Sequence, residues 1–310
     1  MTVTEHAIRE RTPDRVSVSQ PADFVLGAGR TVDAARLLDA CVSPYCFDFA
    51  AGRLLCVSTP DISTATFFYQ AQREQARSVI VAPLAVLPEA RSSPALVFSI
   101  GRCGSTLLHQ AFRAAGAAAV SEPDYFTQAA LYARHDPALA AAIGRATRLL
   151  GYSIIKLRAE CSNAPLLIAG AFPAPKLVFI LRDALDWADS VRRVSSQPTP
   201  EGVAGLLGAL LGGLDALARR YPVRICYYED FRALTARYVN ELLAWIGTEA
   251  RIRPAAAREL AARDAQEGSP MSRAALPAPA EGARFRDAFR AEWSRVRPRA
   301  LIERLALRGL

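Results

Sequence analysis

Residues 95–109 read Ala95-Leu-Val-Phe-Ser-Ile-Gly101-Arg102-Cys103-Gly104-Ser105-Thr106-Leu-Leu-His109. An apolar run, Ala95 to Ile100, predicts a buried strand. The Gly101-Arg102-Cys103-Gly104 segment predicts a tight turn, and Ser105 and Thr106 open a predicted helix over 105–115. Backbone N–H groups at a helix start have no intrahelical partner, and the helix dipole favours negative charge there. Glycines let a backbone approach an anion closely. Arg102 adds a fixed positive charge and the two hydroxyls add donors. The whole segment suits a phosphate or a sulfate.

Working outward, short apolar strands alternate with helical patterns from Pro94 onward. Strands are predicted at 95–100, 118–120, 152–157, 177–181 and 223–227. Helices are predicted near 105–115, 124–149 (broken near Pro137), 162–172, 185–195, 201–220 and 230–246, with a helical tail after about 250. The run Leu177-Val178-Phe179-Ile180-Leu181 is apolar at every position, as expected of a strand covered on both faces. The pattern predicts an α/β chain in three layers, a central parallel sheet of about five strands flanked by helices. Upstream, residues 1–20 are polar and charged and are expected to form a flexible tail. Residues 21–90 are expected to form an α+β extension packed on the core. Within it lie a hairpin of 47–49 with 54–57 across an Ala-Gly turn, a helix over 65–77 and a strand over 79–81. The Pro-rich stretch 82–94 reads as a linker.

The chain of 310 residues is 51% apolar, enough for a full core, and carries a formal charge of +8. Only Lys156 and Lys176 are lysines; all other basic side chains are arginine. Arginine suits fixed, bidentate recognition of phosphate and carboxylate. No aromatic-interleaved basic patch supports nucleic-acid binding. The six cysteines (41, 46, 56, 103, 161 and 226) form no CxxC pair, and with three histidines no zinc-ligand spacing emerges. No metal is expected. The start of the chain lacks an apolar centre, and the longest apolar stretch, 202–214, is short for a bilayer crossing. A cytoplasmic protein with no membrane partner is the expectation.

Three anion-binding patterns compete for the 95–109 segment. A Walker A loop needs G-x-x-x-x-G-K-[ST], but Ser99 replaces its first Gly and Ser105 its Lys. A cysteine-phosphatase loop needs Arg six residues after the Cys, where this chain has His109. Arg102-Cys103-Gly104-Ser105-Thr106 resembles the loop of sulfotransferases that use 3′-phosphoadenosine 5′-phosphosulfate (PAPS), roughly [KR]-S-G-T-T after a buried strand. Cys replaces Ser, and Ser replaces the first Thr.

A second segment strengthens the resemblance. Leu177-Val-Phe-Ile-Leu-Arg182-Asp183 is followed by Ser190, eight residues after the arginine. It is similar to the family's strand ending in Arg-Asp-Pro, with Ala184 in place of Pro. Val223-Arg-Ile-Cys-Tyr-Tyr-Glu229-Asp230 resembles the family's Tyr-Glu-Asp strand end, with Asp230 expected to cap the next helix. The resemblance covers about residues 95–250 and implies a P-loop-like sulfotransferase domain over 91–310 with a helical C-terminal part.

The resemblance implies PAPS as co-substrate, without a metal. Gly101, Arg102, Cys103, Gly104, Ser105 and Thr106 would hold its phosphosulfate. Arg182 and Ser190, the latter expected on the first turns of its helix, would grip the 3′-phosphate, with Arg273 as a further candidate in the C-terminal loop. Arg102 is also a catalytic candidate, stabilising charge on the leaving group. Glu122, in Val120-Ser-Glu122-Pro123, is the candidate general base. Lys156, ending a strand, is a candidate contact to the transferring sulfuryl, and His109 a further catalytic candidate. The acceptor is expected to be a small molecule with a hydroxyl or amine. Two other readings stay open: a divergent P-loop kinase or hydrolase, and a non-catalytic binding protein of sulfotransferase fold.

Overall fold

The computed structural model describes residues 1–12, 18–89, 93–132, 137–195, 198–233, 235–267, 272, 275–276 and 282–310. Ten strands occur in the described chain: Thr2–Arg11 (β1), Phe24–Asp33 (β2), Val42–Asp48 (β3), Arg53–Ser58 (β4), Ser78–Pro83 (β5), Ala95–Ser99 (β6), Ala119–Ser121 (β7), Ile154–Lys156 (β8), Lys176–Leu181 (β9) and Val223–Tyr227 (β10). The first helices are Phe68–Gln75 (α1), Ser105–Ala114 (α2), Tyr125–Tyr132 (α3), Pro137–Leu150 (α4), Pro165–Ala169 (α5) and Ala184–Arg192 (α6). Then follow Pro200–Ala218 (α7), Tyr228–Phe231 (α8), Ala236–Ile246 (α9), Pro254–Ala262 (α10), Gly282–Val296 (α11) and Arg299–Arg304 (α12).

The chain is α/β. One five-stranded parallel sheet has the order β10-β9-β6-β8-β7, and an additional antiparallel sheet has the order β2-β1-β5-β4-β3. The parallel strands are short, and two are enclosed: all five residues of β6 and all but the first of β9 are buried. That burial explains the apolar runs Ala95–Phe98 and Leu177–Leu181.

Two compact units divide the chain. Residues 1–96 and 120–175 form the first; residues 97–119 and 176–310 form the second. The division departs from the expected boundary at residue 90.

In the first unit, residues 2–11 are not a flexible tail. They form β1, which pairs antiparallel with both β2 and β5. Thr4, Glu5 and His6 find partners on each side, at Thr31, Arg30 and Gly29 in β2 and at Val81, Ile80 and Val79 in β5. Backbone pairing, rather than an apolar face, makes this polar segment a strand. The predicted hairpin is present and longer than expected, β3 pairing with β4. Phe24, Tyr45, Cys46, Leu55, Val57 and Val79 form the core under the antiparallel sheet. A buried ion pair, Arg73 Nη2 to Asp23 Oδ2 at 3.0 Å, joins it; the Tyr45 hydroxyl donates to the same Asp23 oxygen and accepts from Arg73 Nε.

In the second unit, the Trp187 and Phe179 side chains are wholly buried, and α7 packs on α11 and α6. Helix α7 has 19 residues, longer than the apolar stretch the sequence suggested, and is long and apolar enough to cross a membrane by length and composition alone.

Candidate functional site

The turn after β6 is built as the sequence suggests and is more contorted than it suggests. Gly101, Arg102 and Gly104 all have positive φ, at 70°, 49° and 78°. Among the described residues only Arg102, Glu122 and Ala306 adopt this left-handed backbone without being glycine. A non-glycine residue there carries strain that the surroundings must hold in place. The holding groups are visible within the second unit. Trp187, wholly buried on α6, donates its indole N–H to the carbonyl oxygens of Ile100 (3.1 Å) and Gly101 (3.0 Å). The backbone N–H of Ile100 donates to the Ile180 carbonyl at 3.3 Å.

Gly104 caps α2, and no side chain satisfies the helix start. The Ser105 and Thr106 side chains, at α2's first two positions, make no hydrogen bond among the described residues. Gly104 is also a steric necessity: a Cβ there would lie 2.4 Å from Cδ2 of Tyr228. Cys103 is buried and its thiol is unbridged.

Two arginines converge on this turn. Arg182, directly after β9, donates from Nη1 to the backbone carbonyl of Arg102 at 3.1 Å, and its guanidinium lies over the Tyr228 ring, 4.8 Å from the centroid. Its buried Nε has no partner among the described residues. The Arg102 side chain donates from Nε to the Ser190 hydroxyl at 3.2 Å and from Nη1 to Oε1 of Gln266 at 2.8 Å. Among the described residues no carboxylate forms an ion pair with either arginine. Burial, then the like charge of Arg182, holds the Arg102 guanidinium below its ordinary value; Arg193 pushes the same way and Asp264 opposes. Arg193 is exposed at the C-terminal end of α6. The result is a half-buried positive cluster whose partners are neutral oxygens and an aromatic face.

Two expectations need correction here. Helix α6 ends at Arg192, so Ser190 lies in its last turn and not near its positive N-terminal end. That terminus belongs instead to Asp183, whose carboxylate accepts from the N–H groups of Leu185 (3.0 Å) and Asp186 (3.1 Å). Consequently Ser190 meets Arg102 and not Arg182. Asp230, expected to cap the following helix, lies inside α8 and pairs with Arg308; Thr235 caps α9 through its hydroxyl. Glu229 accepts from the Asp183 N–H at 3.0 Å.

The other candidates are placed as follows. His109 is buried on α2, 2% exposed, in the packing of the second unit. Arg273 lies outside the described residues. Glu122 and Lys156 belong to the first unit. Glu122 follows β7 with φ of 61°, its backbone N–H donates to the Lys156 carbonyl at 2.6 Å, and its carboxylate pairs with the Lys156 ammonium. Lys156 is 3% exposed. Two residues on, the buried Asp124 accepts from Arg158 Nη1 at 3.0 Å and from the Ser19 N–H at 2.6 Å.

Sequence reading missed three members of the cluster. Trp187 carried a signal, since a buried indole N–H needs an acceptor and Trp187 sits between Arg182 and Ser190. Tyr228, next to the noted Glu229, carried a weaker one. Gln266 carried none. No group of side chains suited to a metal occurs among the described residues. A comparison with protein-family models found no match, and a comparison with curated proteins found none either.

Proposed function

We propose that the chain is a sulfotransferase that moves a sulfuryl group from PAPS to a hydroxyl or amine of a small-molecule acceptor. The observation that carries this reading is the pair of arginines, Arg102 and Arg182, gathered at a strained glycine turn without a carboxylate partner among the described residues. Holding like charges together under partial burial is unfavourable unless an anion joins them. A doubly phosphorylated nucleotide supplies such charge at two places. The P-loop-like reading of the domain rests on the resemblance of the 101–106 and 177–190 segments.

In this reading Arg102, the 103–106 backbone and the Ser105 and Thr106 hydroxyls receive the phosphosulfate. Sulfuryl transfer is an in-line displacement at sulfur: the acceptor oxygen or nitrogen forms a bond to sulfur as the bond to the bridging oxygen breaks. Negative charge grows on the phosphate that leaves, and donors fixed in advance stabilise it. Arg182 and Ser190 supply charge and a hydroxyl for the 3′-phosphate, and Ser190 also accepts from Arg102 Nε.

Turnover of PAPS by Arg102→Ala tests the assignment. Loss of one preorganised donor of this kind lowers the rate about 10²–10³-fold. Wild-type turnover by a folded Arg102→Ala protein would refute it.

A further inference from the structure

Nothing in the sequence marks Gln266, yet its side chain touches the cluster's most constrained arginine. Gln266 Oε1 accepts from Arg102 Nη1 at 2.8 Å. The segment that carries it is tethered once to α2 and braced once within itself, both inside the second unit. Gln110, on α2, donates from Nε2 to the Ala265 carbonyl at 2.9 Å, and the Gln266 N–H donates to Oδ1 of Asp264 at 3.0 Å. The Arg102 guanidinium is thus fixed on one side by the Ser190 hydroxyl, through Nε, and on another by an amide oxygen, through Nη1. Its Nη2 donates to no described residue.

The chemistry of the two partners matters. Both are uncharged, so each orients the guanidinium without cancelling its charge. A carboxylate in either place would form a charge-assisted pair of roughly twice the strength and would compete with any incoming anion. Asp264, only two residues away, shows that an acidic side chain is tolerated in this segment.

We propose that Gln266 is a positioning residue of the anion site: it aims Arg102 Nη2 at the ligand and, being neutral, leaves the charge of Arg102 for the phosphate or phosphosulfate. The proposal rests on the nucleotide reading given above for the identity of the ligand, but its geometry concerns the Arg102 guanidinium alone. It predicts that charge and fit at position 266 have separable effects. Gln266→Glu keeps the reach of the side chain and adds a carboxylate 2.8 Å from Nη1. Gln266→Ala removes the tether and adds no charge.

The test is calorimetric titration of adenosine 3′,5′-bisphosphate into wild type and both variants, alongside the melting temperature of each free protein. The expected result is that Gln266→Glu binds at least about tenfold more weakly while melting at or above the wild-type temperature, because the new ion pair ties segment 264–266 to the loop. Gln266→Ala is expected to bind more weakly by a smaller factor. A residue that only anchors its segment would move affinity and melting temperature together. Wild-type affinity in a folded Gln266→Glu protein overturns the proposal, and so does a loss of affinity matched by a lower melting temperature. Inorganic sulfate serves as a second probe. If wild type binds sulfate but not the bisphosphate, the nucleotide reading fails and the sulfate affinities of the three proteins decide the role of Gln266. If wild type binds neither, both fail.

Discussion

The guanidinium of Arg182 donates to the backbone carbonyl of Arg102 across 3.1 Å while its central carbon lies over the Tyr228 ring, 4.8 Å from the centroid. One arginine therefore sets the backbone from which the other projects. The carbonyl it holds belongs to a residue with φ of 49°, a conformation that does not persist without such support. Charge, turn geometry and aromatic packing are coupled at this point.

Lysine at position 182 is the substitution that separates charge from shape. An ammonium keeps the positive charge but loses the planar fork that donates to Arg102 and stacks on Tyr228. Arg182→Lys is expected to weaken adenosine 3′,5′-bisphosphate by about tenfold or more, a loss that Coulomb attraction alone does not predict. Titration of the variant beside wild type measures it; equal affinity would show that only the charge matters.

Gly104→Ala tests the turn from the other side. The added Cβ meets Tyr228 at 2.4 Å and 2.6 Å, both contacts with a ring whose face carries Arg182. It also forces alanine to a φ of 78°. The two effects together are expected to cost about 2–4 kcal/mol, read as a lower midpoint in urea unfolding, with nucleotide binding lost as well. An unchanged midpoint would mean that the turn is less constrained than its geometry.

Much of this arrangement is legible in the sequence, and the limits of that legibility are physical. Strands β6 and β9 announce themselves because both faces are covered, so Ala95–Phe98 and Leu177–Leu181 are apolar throughout. The Gly101–Gly104 turn shows through its glycines. Strand β1 does not show, because its register is fixed by pairing with β2 and β5 and its exposed positions are free to be Glu, Arg and Thr. The end of α6 is likewise hidden: Arg192 and Arg193 are acceptable in a helix, so periodicity ran past them and misplaced Ser190. Gln266 touches Arg102 across 164 residues of chain, a relationship that no local pattern encodes.

Glu5 gives the antiparallel sheet a pH dependence. Burial of its carboxylate acts to raise its pKa, yet hydrogen bonds from Ser78, Arg30 and Arg36 outweigh that and leave it below 4.5. A carboxylate depressed in the folded state contributes stability above its unfolded pKa, and that contribution is lost as pH falls through the folded value. The difference in melting temperature between wild type and Glu5→Gln is therefore expected to be full at pH 6–7 and to shrink below about pH 4.5. A difference that stays constant down to pH 3 would contradict this.

The central claim is that Arg102 and Arg182 serve a doubly phosphorylated adenosine, and thermal shift with adenosine 3′,5′-bisphosphate measures it most directly. At about a hundred times its dissociation constant the nucleotide should add roughly 2.7 kcal/mol of stability, a rise of several degrees. The rise should need no metal and should be lost in Arg102→Ala and Arg182→Ala. No rise with the bisphosphate, or an equal rise with ATP that depends on Mg²⁺, would contradict the account.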